Sequence, residues 1–409
     1  MTARPHALAP VLALAVASAA GLTHASFTTV INVPPDIGDS LVIGSDTQVN
    51  LSAGGTIGSL IEVSLANGTG TNAELNVSGG TTGFGDVYAG GTVNVTGGDI
   101  GSEWTVRPGG VINVSGGRVG SFTGLDGGTM NLSSGRVEGV SVNANGVFNM
   151  TGGLIEFVLG VAAGGVANVS GGSLEFPTGL ASPAPTQAFV TVTDGGTLNL
   201  NVTQLSFNGA DFTNNLQPGV ITPIDVANSQ GALAGTLLDG TTFEFDLSNP
   251  FSNTEDYIDP NATLNVTLAG VLGDFDRDDD VDADDIDIFL QNVGNRAFDI
   301  SNDGVTDEAD ALLLINTILG TFLGDANLNG SVGTDDLAIL AGNFNQSPRG
   351  WATADITGDG TVGTGDLAIL AANFGQGTPP LESTAAAVPE PASLALLGLG
   401  GLLVARRRP

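Results

Sequence analysis

The sequence predicts a multidomain chain: an N-terminal, all-β parallel β-solenoid, then α-helical modules built from loops and helices, and a short C-terminal hydrophobic helix. Three observations predict this architecture: a short internal repeat, four acidic strings each followed by apolar residues at helical spacing, and an apolar run next to arginines near the C-terminus. The predicted segments are a signal peptide over 1–25, the solenoid over 26–202, a β cap over 203–270, loop–helix modules over 271–322 and 323–377, a linker over 378–387 and a C-terminal signal over 388–409.

The first segment has the features of a secretory signal peptide. Arg4 precedes an apolar stretch over about 7–17, and the small residues around Ala25 predict cleavage before Ser26. The sequence contains no cysteine, so the exported chain must be stabilised without disulfide bonds.

The composition excludes several kinds of catalytic site. Lysine and cysteine are absent, and both histidines, His6 and His24, lie in the predicted signal peptide. The mature chain therefore cannot build a Ser-His-Asp triad, a Cys-His pair, a Schiff base or an ordinary zinc site, and only carboxylate or tyrosine chemistry remains. The formal net charge of −33 disfavours nucleic acid and anionic lipid as partners and favours divalent cations.

The repeat occupies about residues 50–176, with a period of 18 or 19 residues. Each repeat contains an N-h-[ST]-[GS]-G string, where h is apolar. The string begins at Asn76, Asn94, Asn113, Asn131, Asn149 and Asn168. Apolar or small residues flank each asparagine, and another inward position follows six residues later, as at Ile100 and Val119. This alternation predicts strands with one inward face, and the short period predicts stacked coils that continue to Asn50 and Asn199. Glycine pairs such as Gly109-Gly110 are predicted to turn the corners.

Two outward columns of charged residues leave alternatives open. The first column consists of Asp99, Arg118 and Arg136, and the second of Glu138, Glu156 and Glu175. Asp99 and Arg118 on adjacent coils could form a surface ion pair, which contributes little. Carboxylates one coil apart have about the separation of a retaining glycosidase pair. We interpret the second column as a solvated acidic stripe, with a cation or saccharide site as the alternative.

The segment over 203–270 loses the period but keeps strand-like pieces separated by turns, such as 241–247 and 262–268. We interpret it as a cap that closes the exposed end of the solenoid. No site is predicted in it.

Four acidic strings of the form D-x-[DNST]-x-[DN]-[GD]-x5-D follow, at Asp274 to Asp285, Asp299 to Asp310, Asp325 to Asp336 and Asp355 to Asp366. Positions 1, 3, 5, 7 and 12 of such a string offer oxygen atoms to one hard cation, position 7 through its backbone carbonyl. Ca²⁺ is therefore the expected ion. In the first string Asp279 occupies the sixth position, where the turn favours glycine. The apolar residues after each string lie on one helical face: Ile286, Phe289, Leu290, Val293; Ala311, Leu314, Ile315, Ile318; Leu337, Leu340, Ala341, Phe344; Leu367, Leu370, Ala371, Phe374.

This arrangement resembles the type I dockerin family, whose domains are a pair of calcium loop–helix repeats. The resemblance covers about Gly273 to Gly377. It is most specific over the last two loop–helix repeats, whose sequences GDANLNGSVGTDDLAILAGNF and ADITGDGTVGTGDLAILAANF are similar to each other. It implies one module from the first two loops and another from the last two. The implied calcium ligands are Asp274, Asp276, Asp278, Asp280 and Asp285; Asp299, Ser301, Asp303, Val305 and Asp310; Asp325, Asn327, Asn329, Ser331 and Asp336; and Asp355, Thr357, Asp359, Thr361 and Asp366.

The resemblance also implies a partner, a cohesin-like or other envelope protein. Dockerins bind cohesin modules through residues late in each loop, commonly a Ser/Thr pair. The corresponding positions here are Ala283-Asp284, Glu308-Ala309, Thr334-Asp335 and Thr364-Gly365, which depart from that pattern. Calcium-dependent folding is expected from the loops themselves.

The C-terminal segment contains Val388-Pro389-Glu390-Pro391, an apolar run from Ala392 to Ala405, and Arg406-Arg407-Arg408. The run is shorter than the roughly 17 to 25 residues of a stable transmembrane helix. The segment resembles the PEP-CTERM sorting signal of exported bacterial proteins. The resemblance implies transient anchoring in the inner membrane, processing by a sorting peptidase (exosortase), and a final place at the cell surface or in the extracellular matrix.

Two hypotheses follow for the function. In the first, the protein is a non-catalytic, calcium-stabilised component of the cell surface or extracellular matrix, with a solenoid spacer or adhesive face and dockerin-like modules for attachment. In the alternative, it is an extracellular polysaccharide-degrading enzyme on a β-helix scaffold, with an extracellular polysaccharide as its partner. The first is preferred because the repeat has no Lys or His and few Arg, whereas lyases of this architecture need a basic residue as proton acceptor. No catalytic residue and no organic cofactor is predicted.

Overall fold

The computed structural model describes residues 27–34, 36–37, 40–66, 68–174, 189–229, 231–247 and 257–377. The predicted signal peptide, the linker and the C-terminal signal lie outside these residues. The described chain forms two compact units. The first contains the residues up to Asp280 together with Gly294–Thr306, and the second contains Val281–Val293 and the residues from Asp307 onward.

The strands all lie in the first unit. They are β1 (Thr29–Val33), β2 (Ser40–Ile43), β3 (Thr47–Leu51), β4 (Thr56–Val63), β5 (Ala73–Val87), β6 (Gly91–Ile100), β7 (Thr105–Val106), β8 (Val111–Val119), β9 (Thr123–Leu125), β10 (Thr129–Val142), β11 (Val147–Val161), β12 (Val166–Ser173), β13 (Phe189–Val192), β14 (Thr197–Phe207), β15 (Ala210–Asp211), β16 (Ile221–Ile224), β17 (Ala232–Leu237), β18 (Thr242–Asp246), β19 (Tyr257–Ile258) and β20 (Thr263–Leu268).

Parallel pairing between successive coils builds this unit, and the predicted parallel β-solenoid is confirmed. One ladder runs through β1, β3, β5, β6, β8, β10, β11, β12, β14 and β20. A second runs through β2, β4, β5, β7, β9, β10, β11, β13 and β19. The register follows the repeat, since Asn113 lies opposite Asn94 on one side and Asn131 on the other.

The core of the solenoid consists of the inward rows that the alternation predicts. Ile112 and Val114, which flank Asn113, are buried, as is Val119 six residues after it. The same positions are buried in the other coils from Leu75 to Leu174. Stacked aliphatic side chains thus bury apolar surface along the whole solenoid, which is the main stabilising contribution to such a fold.

The last glycine of each N-h-[ST]-[GS]-G string bends the chain between two ladders. Gly117 has a φ of +67°, and a Cβ atom there would lie 2.4 Å from the carbonyl oxygen of Gly98. L-residues rarely adopt this conformation, and the clash would add to the strain. The matching glycines of the other coils, Gly80, Gly98, Gly135, Gly153 and Gly172, also have positive φ.

The asparagine side chains form a hydrogen-bonded ladder along the solenoid. In each coil Nδ2 donates to Oδ1 of the preceding asparagine, as from Asn131 to Asn113 at 2.8 Å. The ladder extends further than the sequence predicts, since it starts at Asn32 and ends at Asn265.

The segment over 203–270, interpreted from sequence as a cap, has two structural roles. Its last strand, β20, is a further coil that pairs in parallel with β14. The other edge of β20 pairs with the antiparallel strand β16, and an antiparallel hairpin of β17 and β18 pairs with β14. The antiparallel strand β16 thereby covers an edge that would otherwise present unpaired backbone groups.

The second unit contains the helices α1 (Ala283–Gln291), α2 (Glu308–Leu312), α3 (Thr334–Asn343) and α4 (Thr364–Asn373). A π-helical turn, Leu313–Ile318, continues α2, and a 3-10 turn, Trp351–Thr353, lies between α3 and α4. Of the apolar residues predicted to form one face of α3 and α4, only Leu340 and Leu370 are buried, whereas Leu337, Ala341, Leu367 and Ala371 are exposed. Phe344 and Phe374 are also more than a third exposed, because each lies at a C-cap where the extended ψ turns the chain off the helical face.

A buried tryptophan joins parts of the second unit that the sequence assigns to different modules. The backbone N–H of Trp351 donates to Oδ1 of Asp287 in α1 at 2.7 Å, and its indole Nε1–H donates to the carbonyl oxygen of Asp325 at 2.8 Å. Helix α1 therefore belongs to the same compact unit as the third and fourth loops, which differs from the predicted division at residue 322.

Candidate metal centre

The four acidic loops share one backbone conformation. Position 4 has a positive φ in each loop, at Arg277, Asn302, Leu328 and Gly358. Position 6 does as well, at Asp279, Gly304, Gly330 and Gly360. Asp279, at +77°, is the one non-glycine among these four, as the sequence indicates. A repeated left-handed turn at position 6 is the sharp bend that lets an EF-hand-type loop surround a cation.

The aspartates at positions 1 and 12 are buried in every loop. They are Asp274, Asp285, Asp299, Asp310, Asp325, Asp336, Asp355 and Asp366, each at most 5% exposed. The residues at positions 3 and 5 are mainly exposed. Burying an ionised carboxylate is costly unless it is paired or coordinates a metal. Two buried carboxylates in one short loop therefore favour a bound cation.

The third loop lies entirely within the second unit and holds its carboxylates with backbone N–H groups. Asp325 accepts from Asn329 N–H at 3.1 Å and from Gly330 N–H at 2.7 Å. Asp336 accepts from Ala326 N–H at 2.9 Å and also from Gly333 N–H at 2.8 Å, which caps α3. The carboxylate at position 12 thus ties the loop to the start of the helix that follows it.

Asp335, which the sequence analysis placed only in a partner-binding position, contacts two implied ligands of the third loop. Its Oδ2 accepts the side-chain amides of Asn327 and Asn329, at 2.8 and 2.7 Å. The hydrogen bond from Asn327 lowers the pKa of Asp335. By engaging both amide nitrogens, Asp335 fixes the orientation of the two asparagine side chains that are implied ligands.

The fourth loop repeats this geometry within the same unit. Asp355 accepts from Gly360 N–H at 2.7 Å, and Asp366 accepts from Thr357 N–H at 2.8 Å and from Gly363 N–H at 2.7 Å. Burial raises the pKa of Asp355, and the negative charges of Asp366 and Asp359 act in the same direction. These carboxylates repel one another, and a bound cation would remove that repulsion.

The first two loops are divided between the units. In the first unit, carboxylate oxygens of Asp274, Asp276 and Asp278 lie within 4.8 Å of one another and could hold a metal ion. Asp299 in the second loop accepts from Asp303 N–H at 3.1 Å and Gly304 N–H at 2.8 Å. Their position-12 partners, Asp285 and Asp310, belong to the second unit, where each accepts from the N-cap N–H of its own helix. The remaining implied ligands, Asp280, Ser301, Asp303 and Val305, lie at their loop positions in the first unit.

The donor set fits Ca²⁺. Every implied ligand in the third and fourth loops is a carboxylate, amide, hydroxyl or carbonyl oxygen, and each loop has two buried carboxylates to balance the charge. Calcium takes six to eight such oxygens in flexible geometry. The residues present therefore match the ion that the sequence motif predicts.

On the solenoid, the outward charged columns are paired differently from the sequence expectation. Arg118 forms its ion pair with Glu138 on the next coil rather than with Asp99, although Asp99 and Arg118 lie in register. Arg136 pairs in the same diagonal way with Glu156 at 3.3 Å. Glu138 also accepts from the backbone N–H and the hydroxyl of Ser121, at 2.9 and 2.7 Å. Glu175 lies outside the described residues.

Sequence reasoning also missed a polar cleft of about 610 Å³ beside β14, β17 and β18. Asp211 and Glu244 are among the residues that line it. Asp211 is engaged locally, since it accepts from Thr213 N–H at 2.8 Å. The composition of this segment gave no signal for the cleft, because it depends on the antiparallel pairing of β17 with β14.

Comparisons with known proteins identify one segment of the chain. The family model described as the PEP-CTERM protein-sorting motif matches residues 387–408. Searches of curated proteins and of solved structures found no match. Among the described residues, no helix has both the length and the apolar composition needed to cross a membrane. The match confirms the predicted C-terminal signal and indicates an exported protein that is sorted to the cell envelope and recognised by a sorting peptidase. The dockerin resemblance stays a prediction.

Proposed function

We propose that this protein is a non-catalytic component of the cell surface or extracellular matrix, in which a β-solenoid is attached through calcium-stabilised, dockerin-like loops. The observation that carries the proposal is the fourfold recurrence of one loop backbone with buried aspartates at positions 1 and 12. A repeated arrangement of this kind, in an exported chain without cysteine, gives calcium the stabilising role that disulfide bonds have in other secreted proteins.

The third and fourth loops would hold calcium through Asp325, Asn327, Asn329, Asp336 and the Ser331 carbonyl, and through Asp355, Thr357, Asp359, Asp366 and the Thr361 carbonyl. Bound calcium supplies positive charge to carboxylates that are buried next to one another. Protein residues position the ligands: Asp335 orients the amides of Asn327 and Asn329, and Asp336 joins the loop to α3.

The pairing of the solenoid carboxylates supports a non-catalytic role. Glu138 is bound by Arg118 and by Ser121, and Glu156 is bound by Arg136. A general acid or a nucleophile must present a carboxyl group to its substrate, whereas these groups are engaged with neighbouring coils. Diagonal ion pairs between coils instead suit a solenoid that serves as a spacer or an adhesive surface.

Attachment is the role that the dockerin resemblance gives to the C-terminal loops, with a cohesin-like or other envelope protein as the partner. The sorting motif brings the chain to the same compartment as such a partner. A pull-down from the envelope fraction, with and without calcium, identifies it.

The chain contains two tryptophans, one in each unit, and they allow calcium dependence to be tested unit by unit. Trp104 is buried in the solenoid, where its Nε1–H donates to the Gly83 carbonyl oxygen at 3.0 Å. Trp351 is buried in the second unit and is hydrogen-bonded to the third loop. Removing calcium from the Trp104→Phe variant should shift Trp351 emission to the red. The same treatment of the Trp351→Phe variant should leave Trp104 emission unchanged.

Ligand variants complete the test. At a calcium concentration of about 100 times Kd, one site stabilises the folded state by about 2.7 kcal/mol. Asp336→Asn and Asp366→Asn should each remove most of that contribution, whereas Asp284→Asn, an exposed aspartate outside the implied ligand set, should not. The proposal is wrong if the unfolding midpoint reported by Trp351 is the same with calcium and with chelator.

A further inference from the structure

The two ends of the solenoid differ in how well their core is covered. Three inward residues of the first coil are only partly buried, namely Ile31, Ile37 and Leu41. The residues that pair with them in the second coil are at most 1% exposed, namely Val49, Ile57 and Ile61. At the other end, Leu264 and Val266 in β20 are fully buried. Apolar core surface is therefore left accessible at the first coil, where β1 and β2 lie.

The strand β1 is also an edge strand, and its outward backbone groups can be identified. Among the described residues β3 is its one partner. The Thr29 N–H donates to the Asp46 carbonyl oxygen at 3.1 Å, and the Val33 carbonyl oxygen accepts from the second coil at 3.0 Å. Because backbone groups alternate in direction along a strand, those of Val30 and Asn32 point away from β3. These two residues therefore offer N–H and C=O groups to a further strand.

This edge lacks the usual protection against pairing with another chain. Edge strands are commonly protected by a charge, a proline or a bulge. β1 and β2 contain no charged residue and no proline, and the pairing of β1 with β3 has no register shift. The acids of this coil, Asp36 and Asp39, lie between the two strands in the sequence. The exposed Val30 and Val42, at 53% and 55%, add apolar surface.

Charge and symmetry indicate a second copy of the chain as the occupant. With a net charge of −33, two copies can meet without opposing like charges only at an uncharged surface such as β1. A twofold axis through Ile31 aligns two β1 strands antiparallel and places Val30 opposite Asn32 of the second copy. The outward backbone groups then meet as hydrogen-bonded pairs. Inward side chains stay on the core side in both copies, so the partly buried Ile31 is covered by its own equivalent.

We propose that two copies of the mature chain associate head to head through β1 and form a closed dimer. Cleavage before Ser26, which the sequence predicts, removes the segment that precedes this strand. The contact occupies the same edge in both copies, and β16 covers the edge of β20 at the other end, so the assembly stops at two chains. The dimer presents two copies of the second unit, and hence two attachment sites. It uses no residue of the calcium loops and goes beyond the proposed function.

Sedimentation equilibrium of the calcium-loaded chain that starts at Ser26 tests the proposal, and it should show a concentration-dependent dimer. Val30→Pro should abolish the dimer, because proline removes an outward N–H while the bonds of β1 to β3 remain. Its far-ultraviolet circular dichroism should match that of the parent. Val30→Thr keeps the N–H and should dimerise like the parent. Ile31→Ala should weaken dimerisation about tenfold, which corresponds to about 1.4 kcal/mol.

A cysteine variant tests the register of the two strands. The chain contains no cysteine, so a thiol introduced by Ile31→Cys has no partner within its own chain. Facing residues of a non-hydrogen-bonded antiparallel pair have Cα atoms about 4.5 Å apart, which a disulfide can span. Oxidised glutathione should therefore convert Ile31→Cys to a covalent dimer. Val42→Cys, at an exposed position of β2 away from the axis, should stay uncrosslinked.

Three results would overturn the proposal. The first is a monomer at all concentrations. The second is a dimer that persists in Val30→Pro, because the contact would then lie elsewhere, as at the C-terminal apolar run. The third is crosslinking of Val42→Cys as readily as Ile31→Cys. If the dimer is absent while Trp351 still responds to calcium, only the dimer is wrong. If the dimer forms and Trp351 does not respond, the stabilising role of calcium is wrong instead.

Discussion

Replacing Asn131 by alanine should measure how much the asparagine ladder stabilises the solenoid. Asn131 lies in the middle of the ladder, where it donates to Asn113 Oδ1 at 2.8 Å and accepts from Asn149 Nδ2 at 2.8 Å. Alanine removes both bonds and leaves one acceptor and one donor without their ladder partners. Asn32 is the matched control, because it lies at the end of the ladder and takes part in a single such bond, with Asn50.

The magnitude follows from the number of bonds lost. A typical intramolecular hydrogen bond contributes about 0.5 to 1.5 kcal/mol, and leaving a buried partner unsatisfied adds to the loss. Asn113 and Asn149 are partly buried, so Asn131→Ala should reduce the free energy of unfolding by about 2 to 3 kcal/mol. Asn32→Ala should cost about 1 kcal/mol or less, since one exposed bond is lost.

Urea unfolding followed by Trp104 fluorescence is the appropriate assay. The Trp351→Phe background, with calcium present, makes the signal specific to the solenoid. A solenoid can unfold in stages because each coil contacts only its neighbours, so the midpoints of both variants should be compared with the parent under one set of conditions. If Asn131→Ala shifts the midpoint no more than Asn32→Ala does, the ladder is not a significant source of stability and the reasoning fails.

Two further predictions concern the acidic loops. Asp279→Gly should stabilise the chain by about 1 kcal/mol in urea unfolding with calcium present, because Asp279 has a φ of +77° where the other loops have glycine; an unchanged or lower midpoint would contradict this. In calcium-free protein, the raised pKa of Asp355 means that the folded state binds its proton more tightly than the unfolded state. Stability from this group is therefore present below its ordinary pKa of 3.8 and is lost as pH rises through the raised value. The unfolding midpoint reported by Trp351 should fall with rising pH, and Asp355→Asn should reduce that slope; equal slopes would refute the assignment.

The repeat was readable from sequence because one residue type marks each coil. The spacing from Asn76 to Asn168 fixes the register of neighbouring strands, and the inward rows follow from alternation. The ladder was underestimated at its far end because 66 residues separate Asn199 from Asn265, which hides the last coil from any search for a short period. The final glycine of each string was part of the motif, but its role is a backbone dihedral angle that only the folded chain displays, as at Gly117.

In the candidate metal centre, too, some features could be predicted from the sequence and others could not. The donor pattern of the loops is local in sequence, so the implied ligands and the unusual Asp279 could be identified directly. The contacts of Trp351 with Asp287 and Asp325 could not, because they join residues 64 and 26 positions apart. The orientation of Asn327 and Asn329 by Asp335 was missed because it depends on which way the loop folds over α3.

The antiparallel strand β16 on the edge of β20 bears on the length of the solenoid. With Ile221–Ile224 of β16 on that edge, a second molecule cannot add a parallel strand to β20, so the ladder ends with the coil of Asn265. Nine intervals separate the coil of Asn32 from that of Asn265 in the described chain, and at about 4.8 Å each they span about 43 Å. The length of the solenoid is therefore proportional to its number of coils, and inserting one repeat should lengthen it by about 5 Å.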